Sequence, residues 1–203
     1  ILPTWTFTAT AEVIRYLGAL PVLVDIEPDT LNISPAAVAA AITEHTRAVM
    51  PVHFAGLAAD LAGIRRAIGD RPIAIVEDAA HALPTIGPDG LVGMCAGSDV
   101  AVFSFYATKT MTTGEGGMLT TRNPEIAKRA RIMRLHGIDR DAFDRYTSMR
   151  PSWAYDVIAP GFKYNMPDVA AALGRVQLSR ADAMHKRRQE IAEHYLRELA
   201  GLP

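Results

Sequence analysis

The feature that most constrains this chain is a series of short, continuously apolar runs separated by amphipathic stretches. Pro21–Ile26, Ala48–His53, Ile73–Val76, Val100–Phe105 and Gly117–Thr121 lack the apolar–polar alternation of a strand with one wet face. A strand that is apolar on both sides must be covered on both sides, as in a sheet sandwiched between helices. Helical patterns fall between the runs. Pro35–Ile42 has Ser34 as its N-cap and Pro35 at the first helical position, and Asp60–Ile68 follows the second run. Strands alternating with helices predict right-handed crossovers and a largely parallel α/β sheet. Pro51 has no N–H to give to a ladder, so the second run is the weakest strand of the set.

The last third has a different texture. Pro124–Leu135 reads as a basic helix capped by Asn123, and Asp168–Leu178 and Ser179–Leu199 are helical again. Between them, residues 136–166 show no period and scatter Tyr146, Trp153, Tyr155 and Tyr164 among polar residues. A long irregular stretch of this kind is usually functional or interfacial. With 203 residues, 49% of them hydrophobic, the chain can bury one sizeable core and is expected to form one domain. Lys and Arg number 21 against 22 Asp and Glu, a balance that excludes a broad electrostatic affinity for nucleic acid or anionic membrane. No run is long enough to span a bilayer, and no basic segment precedes an apolar core as in a secretory signal. Cys95 is the single cysteine, which excludes an internal disulfide and reads as a small packed side chain in a protein of the cytoplasm. His53, His81, His136, His185 and His194 have no metal-ligand spacing, so no metal site is expected. Neither Ile1 nor Leu202-Pro203 carries a polar tail, and the chain is expected to be a piece of a longer polypeptide.

In open α/β sheets, ligands bind at the carboxyl ends of the strands. Asp78 stands just past the third run, Ser104 at the end of the fourth, and Lys109 in the loop beyond it. Lys109 follows the aromatic sequence Phe103-Ser104-Phe105-Tyr106 and precedes Gly114-Glu115-Gly116-Gly117. Desolvation among aromatics disfavours an ammonium and leaves an amine able to attack an aldehyde. A nucleophilic lysine, a carboxylate for a pyridinium nitrogen and a phosphate site are what a pyridoxal 5'-phosphate enzyme needs. Other nucleotide sites fit less well: the glycines lead into a strand rather than a helix, and the P-loop Gly-Lys-Ser/Thr is absent.

Four segments in order, Glu77-Asp78-Ala79-Ala80-His81, Phe103 to Lys109, Gly114 to Gly117 and Gly161-Phe162-Lys163-Tyr164-Asn165, resemble the DegT-type nucleotide-sugar aminotransferases, pyridoxal phosphate enzymes of fold type I. Pro3-Thr4-Trp5-Thr6-Phe7, Leu17-Gly18-Ala19 and Pro51-Val52-His53-Phe54-Ala55-Gly56 extend the resemblance over essentially the whole chain. Within the family the chain looks most like enzymes that aminate a UDP-4-keto-pentose to 4-amino-4-deoxy-arabinose. The resemblance implies that Lys109 carries the cofactor covalently, Asp78 pairs with the ring nitrogen and His81 lies near the ring and its phenolic oxygen. It makes Phe7 the aromatic stacked on the ring, Ser104 a phosphate ligand and Asn165 a phosphate contact in the neighbouring subunit. Read from the residues alone, Ser104 could satisfy local backbone, Phe7 could be core, His81 could bond within a helix start and Asn165 could simply end its loop. The implied reaction is transamination of a keto-sugar nucleotide with glutamate as amino donor, by a homodimer with shared sites, in polysaccharide or lipopolysaccharide amino-sugar biosynthesis. Residues 1–203 would then be the large cofactor-binding domain, lacking the upstream phosphate-binding part and the downstream small domain of such enzymes. A sugar dehydratase of the same fold replaces the lysine by His, and Lys109 argues against it. A non-catalytic binding module that kept the fold is the alternative from a different class.

Overall fold

Four of the five apolar runs meet in one sheet. The computed structural model describes residues 1–139 and 155–202. In chain order its elements are β1 (Leu2–Pro3), α1 (Thr8–Tyr16), β2 (Leu23–Val24), α2 (Pro35–Ala41), β3 (Ala48–Val49), α3 (Leu61–Ile68), β4 (Ala74–Asp78), β5 (Ile86–Gly87) and β6 (Gly90–Leu91). They are followed by β7 (Val100–Ser104), β8 (Gly117–Thr120), α4 (Pro124–Met133), α5 (Asp168–Ser179) and α6 (Ala181–Glu198). The main sheet has the order β3-β4-β7-β8, with β1 and β2 forming a separate parallel pair and β5 and β6 a small hairpin. β3, β4 and β7 run parallel, as the apolar runs predict.

β8 runs the other way, pairing Ala101 with Thr120 and Ser104 with Gly117. The reason lies in its connection. Residues 105–116 close on themselves at the end of β7, where the Phe105 N–H donates to Gly116 O, so the chain re-enters the sheet from that same end and runs antiparallel beside β7. The weakness at Pro51 is also realised: β3 stops at Val49, and pairing resumes only as a single bridge between Val52 and Asp78. The first apolar run shrinks similarly, to Leu23–Val24 against β1.

Local chemistry explains the helix starts. Ser34 Oγ accepts the Ala37 N–H, Asp60 Oδ1 accepts the Gly63 N–H at 2.7 Å, and Asn123 Oδ1 accepts the Glu125 N–H at 2.9 Å. α1 has no such cap. Its N-cap is Phe7, which makes no side-chain cap bond, and Thr10 is its buried residue. One core cluster lies among β2, β3, β4, α2 and α3, built on Val24, Val38, Val49, Ile64, Ile68 and Ile75. A second, of Ala79, Ala82, Cys95, Ala101, Phe103, Phe105 and Met111, lies under the carboxyl ends of β4 and β7. Cys95 is a packed side chain, with its Sγ 3.4 Å from the Thr120 carbonyl oxygen. No described helix is long and apolar enough to cross a membrane.

Candidate active site

Two successive residues at the end of β4 separate by strand alternation. Glu77 turns to the interior and is buried, whereas Asp78 is half-buried at the strand end. The Asp78 backbone is clamped by the segment after β3: its N–H donates to the Pro51 carbonyl oxygen at 2.8 Å, and its own carbonyl accepts the His53 N–H at 3.1 Å. The carboxylate has two partners. Oδ1 accepts the Ala80 N–H at 3.1 Å, and Oδ2 accepts the Thr10 hydroxyl at 2.9 Å. Thr10 is in turn 2.7 Å from the Thr6 hydroxyl.

On the far side of β4, His53 Nε2 and Glu77 Oε2 are 2.7 Å apart and both side chains are buried. His53 Nδ1 accepts the Ala59 N–H at 3.0 Å, so the ring proton sits on Nε2 and is donated to Glu77. Ser98 Oγ donates to the other Glu77 oxygen. A buried carboxylate is thus satisfied on both oxygens, immediately before the residue that faces the site.

His81 follows the strand end, with its ring edge toward Phe54 at a centroid distance of 6.4 Å; Phe54 in turn meets Trp5 at 5.8 Å. Partial desolvation against these neighbours pulls the His81 imidazole below the ordinary histidine value. The Lys109 ammonium adds to that effect and the Asp78 carboxylate opposes it. The three groups therefore form one electrostatic unit at the carboxyl ends of β4 and β7. Lys109 is half-buried in the loop between β7 and β8. That loop is cinched at its neck, where the Phe105 N–H donates to Gly116 O at 2.8 Å and the Thr113 N–H to Phe105 O at 3.0 Å. The Lys109 N–H donates to Tyr106 O at 3.0 Å, fixing the turn that presents the amine. Gly116 permits the closure, because a Cβ there would stand 2.4 Å from Thr113 Oγ1.

Comparison with known proteins decides the lineage. The DegT/DnrJ/EryC1/StrS aminotransferase family matches residues 1–203. The chain belongs to this family. It is 47% identical over 202 residues to an uncharacterized protein of Methanocaldococcus jannaschii, covering 100% of this chain and 52% of that protein. It is 46% identical over 198 residues to the spore coat polysaccharide biosynthesis protein SpsC of Bacillus subtilis, covering 98% and 50%. The chain spans about half the length of the curated relatives it matches. Among solved structures, the Streptococcus pneumoniae protein Spr1654, assigned as a sugar aminotransferase, superposes in its PMP form with a TM-score of 0.86 at 35% identity, over 98% of this chain and 54% of that one. Its PLP form gives a TM-score of 0.84 at 32% identity, over 98% and 53%. The α/β architecture is that of the fold type I sugar aminotransferases.

In this DegT-family chain, the residues singled out from sequence differ in their surroundings. Asp78 and Lys109 both act electrostatically on His81. Phe7 is 76% exposed at the start of α1, which excludes the core alternative and leaves its ring face open. Ser104 and Asn165 bond locally. Ser104 Oγ accepts the Tyr106 N–H at 3.2 Å, and Asn165 Oδ1 accepts from the Lys163 ammonium. Phe162 and Tyr164 stack at 4.8 Å beside them, with Tyr164 exposed. Tyr146 and Trp153 of the aromatic stretch lie outside the described residues. Sequence reading missed Thr10 and the His53–Glu77–Ser98 network. The spacing of Thr6 and Thr10 was a signal only to a reader who had already placed α1 there.

Proposed function

We propose that the protein is a pyridoxal 5'-phosphate-dependent aminotransferase that converts a keto-sugar nucleotide into an amino-sugar nucleotide, with glutamate as amino donor. The observation that carries this reading is that Asp78 ends β4, with His81 just beyond it, while Lys109 lies in the loop after β7, the strand paired with β4, and that the Lys109 and Asp78 charges both act on His81. A primary amine, an imidazole and a carboxylate in one place, with the exposed Phe7 ring nearby in sequence to Thr10 and its bond to Asp78, are the donor set that a phosphorylated pyridine aldehyde requires. When bound, the cofactor supplies an electron sink for the charge left on the carbon that loses its proton.

The chain's own residues do the rest. Lys109 Nζ would hold the cofactor covalently and would move the proton between the reacting carbons. Asp78, whose two oxygens accept the Ala80 N–H and the Thr10 hydroxyl, would hold a proton on the ring nitrogen. His81 would lie near the ring and its phenolic oxygen, Phe7 would cover a ring face, and Ser104 would contribute to the phosphate site. Asn165 serves the phosphate of a neighbouring subunit, in a homodimer whose two sites are shared. Residues 1–203 act as the large cofactor-binding domain. The finer substrate reading is a UDP-4-keto-pentose, in amino-sugar supply for polysaccharide or lipopolysaccharide synthesis in the cytoplasm. The polysaccharide role printed in the name of the Bacillus relative supports the broader part of that reading.

The test is to incubate the complete protein with pyridoxal phosphate, reduce it with borohydride and map the labelled peptide. It is then assayed with glutamate against a panel of keto-sugar nucleotides. Label on Lys109 and turnover of a 4-keto sugar are expected. Label elsewhere removes Lys109 from its role, and turnover of none of the panel removes the substrate class.

A further inference from the structure

We infer that Thr10 is a positioning residue of the active site, and that the hydroxyl pair Thr6–Thr10 is what holds the Asp78 carboxylate in register with the ring nitrogen it serves. The inference rests on the proposed cofactor reading and extends it to a residue that packing alone would not single out. Thr10 is buried on α1, a helix with no other buried residue, and its hydroxyl reaches across 68 positions of sequence to Asp78 Oδ2 at 2.9 Å. An ionised carboxylate only accepts, so the single hydroxyl proton of Thr10 is committed to Asp78. The 2.7 Å contact with Thr6 then has one possible direction: Thr6 donates and Thr10 accepts. Two hydroxyls in series polarise one another and point the same way, toward the carboxylate.

The opposite oxygen, Oδ1, is held by the Ala80 N–H. With one donor on each oxygen the carboxylate plane is fixed, and each oxygen keeps a lone pair for a further donor. The same short segment, residues 5–10, carries Trp5 against Phe54, which meets His81, and the exposed Phe7. One stretch of chain therefore sets the acid's orientation and presents the aromatic face expected over the ring. Cofactor placement and charge stabilisation are coupled through Thr10.

The experiment uses the complete protein and three forms of it: wild type, Thr10→Val and Thr10→Ser. Valine keeps the shape of threonine and removes its hydroxyl; serine keeps the hydroxyl. The readouts are the unfolding midpoint without cofactor, the affinity for pyridoxal phosphate, and the pH dependence of the long-wavelength absorbance of the lysine-bound cofactor. Thr10→Val is expected to weaken cofactor binding about tenfold, the scale of one hydrogen bond to a charged group, and to displace the absorbance titration. Thr10→Ser is expected to restore both to within about twofold of wild type. Should Thr10→Val unfold, Thr6→Val supplies the same test from one bond further out, with a smaller shift of the same sign. A Thr10→Val protein with wild-type affinity and wild-type titration overturns the proposal, as does a Thr10→Ser protein that behaves like the valine form. Absence of the absorbance band from the wild type itself overturns the cofactor reading, and the proposal with it.

Discussion

Glu77 and Asp78 are neighbours with the same chemistry and opposite environments, and strand alternation is the cause. Glu77 is held inside by His53 and Ser98, while Asp78 is clamped at the strand end by Thr10 and Ala80. Asp78→Asn is expected to lower turnover of the complete protein by at least a hundredfold, about 3 kcal/mol for a charge pair lost from a shielded site. Its unfolding midpoint in urea should barely move; a large midpoint change with near-normal turnover would reverse the assignment. Lys109→Ala is expected to abolish turnover and covalent cofactor attachment together, read by assay and by borohydride trapping. His81 offers a check on the grouping itself that needs no cofactor. Its folded value is lowered, so its neutral form is favoured, and that contribution is present above the ordinary histidine value and lost as pH falls through the lowered one. The His81 ring signal in an NMR titration should move up in Lys109→Gln, where a repelling cation is gone. In Asp78→Asn it should move down, where an attracting anion is gone. Shifts of the same sign in both variants would mean that the three groups do not share a site.

At the scale of elements, what could be read from the sequence follows from what each element buries. β3, β4 and β7 read as apolar runs, although Val102 on β7 is exposed; the parallel pairing of β3 and β4 followed from the helical pattern between them, whereas β4 and β7 pair in parallel across a connection that carries a hairpin and no described helix. The direction of β8 was not legible, because an apolar run carries no arrow and only the closed loop 105–116 sets it. α1 was not read either: it has no side-chain cap to mark its start, and its apolar residues Val13 and Tyr16 and the following Leu17 are exposed, with Thr10 as its buried residue. Asp78 and Lys109 could be found because strand ends are where such folds place ligands. Thr10 could not, since its partner is 68 positions away and belongs to a different element. The network behind Asp78 belongs to this scale too, because it ties the segment after β3 and the approach to β7 onto β4. His53→Ala leaves the buried Glu77 carboxylate without one of its donors and is expected to cost about 3 kcal/mol of stability. Urea unfolding measures it, and the midpoint should fall markedly while residual activity per folded molecule changes little. A stability-neutral His53→Ala would show that water replaces the lost donor without penalty.

At the scale of the molecule, apolar residues are exposed together in two places. Tyr16, Leu17, Leu20 and Leu23 are exposed around α1 and β2, and Val169, Leu173 and Val176 are exposed on α5. Asn165 stands just before α5, half-buried, with its carbonyl oxygen taken by Lys163 and its amide nitrogen available to an anion. A cation and an amide donor side by side, next to the stacked Phe162 and Tyr164, suit a phosphate brought by a second molecule. In a two-fold dimer the same patch appears twice, so two equal sites are completed together. The proposed sharing is tested by complementation between complete chains. Lys109→Ala and Asn165→Ala proteins are each assayed alone, then mixed under conditions where subunit exchange is demonstrated with differently tagged chains. If Asn165 serves the opposite subunit's Lys109 site, a mixed dimer gathers both lesions in one site and leaves the other intact. Activity should then rise toward a quarter of wild type, since half the dimers are mixed at equal exchange and each has one working site of two. If Asn165 serves its own subunit, every mixed dimer carries one lesion in each site, and exchange without recovered activity would refute the shared arrangement.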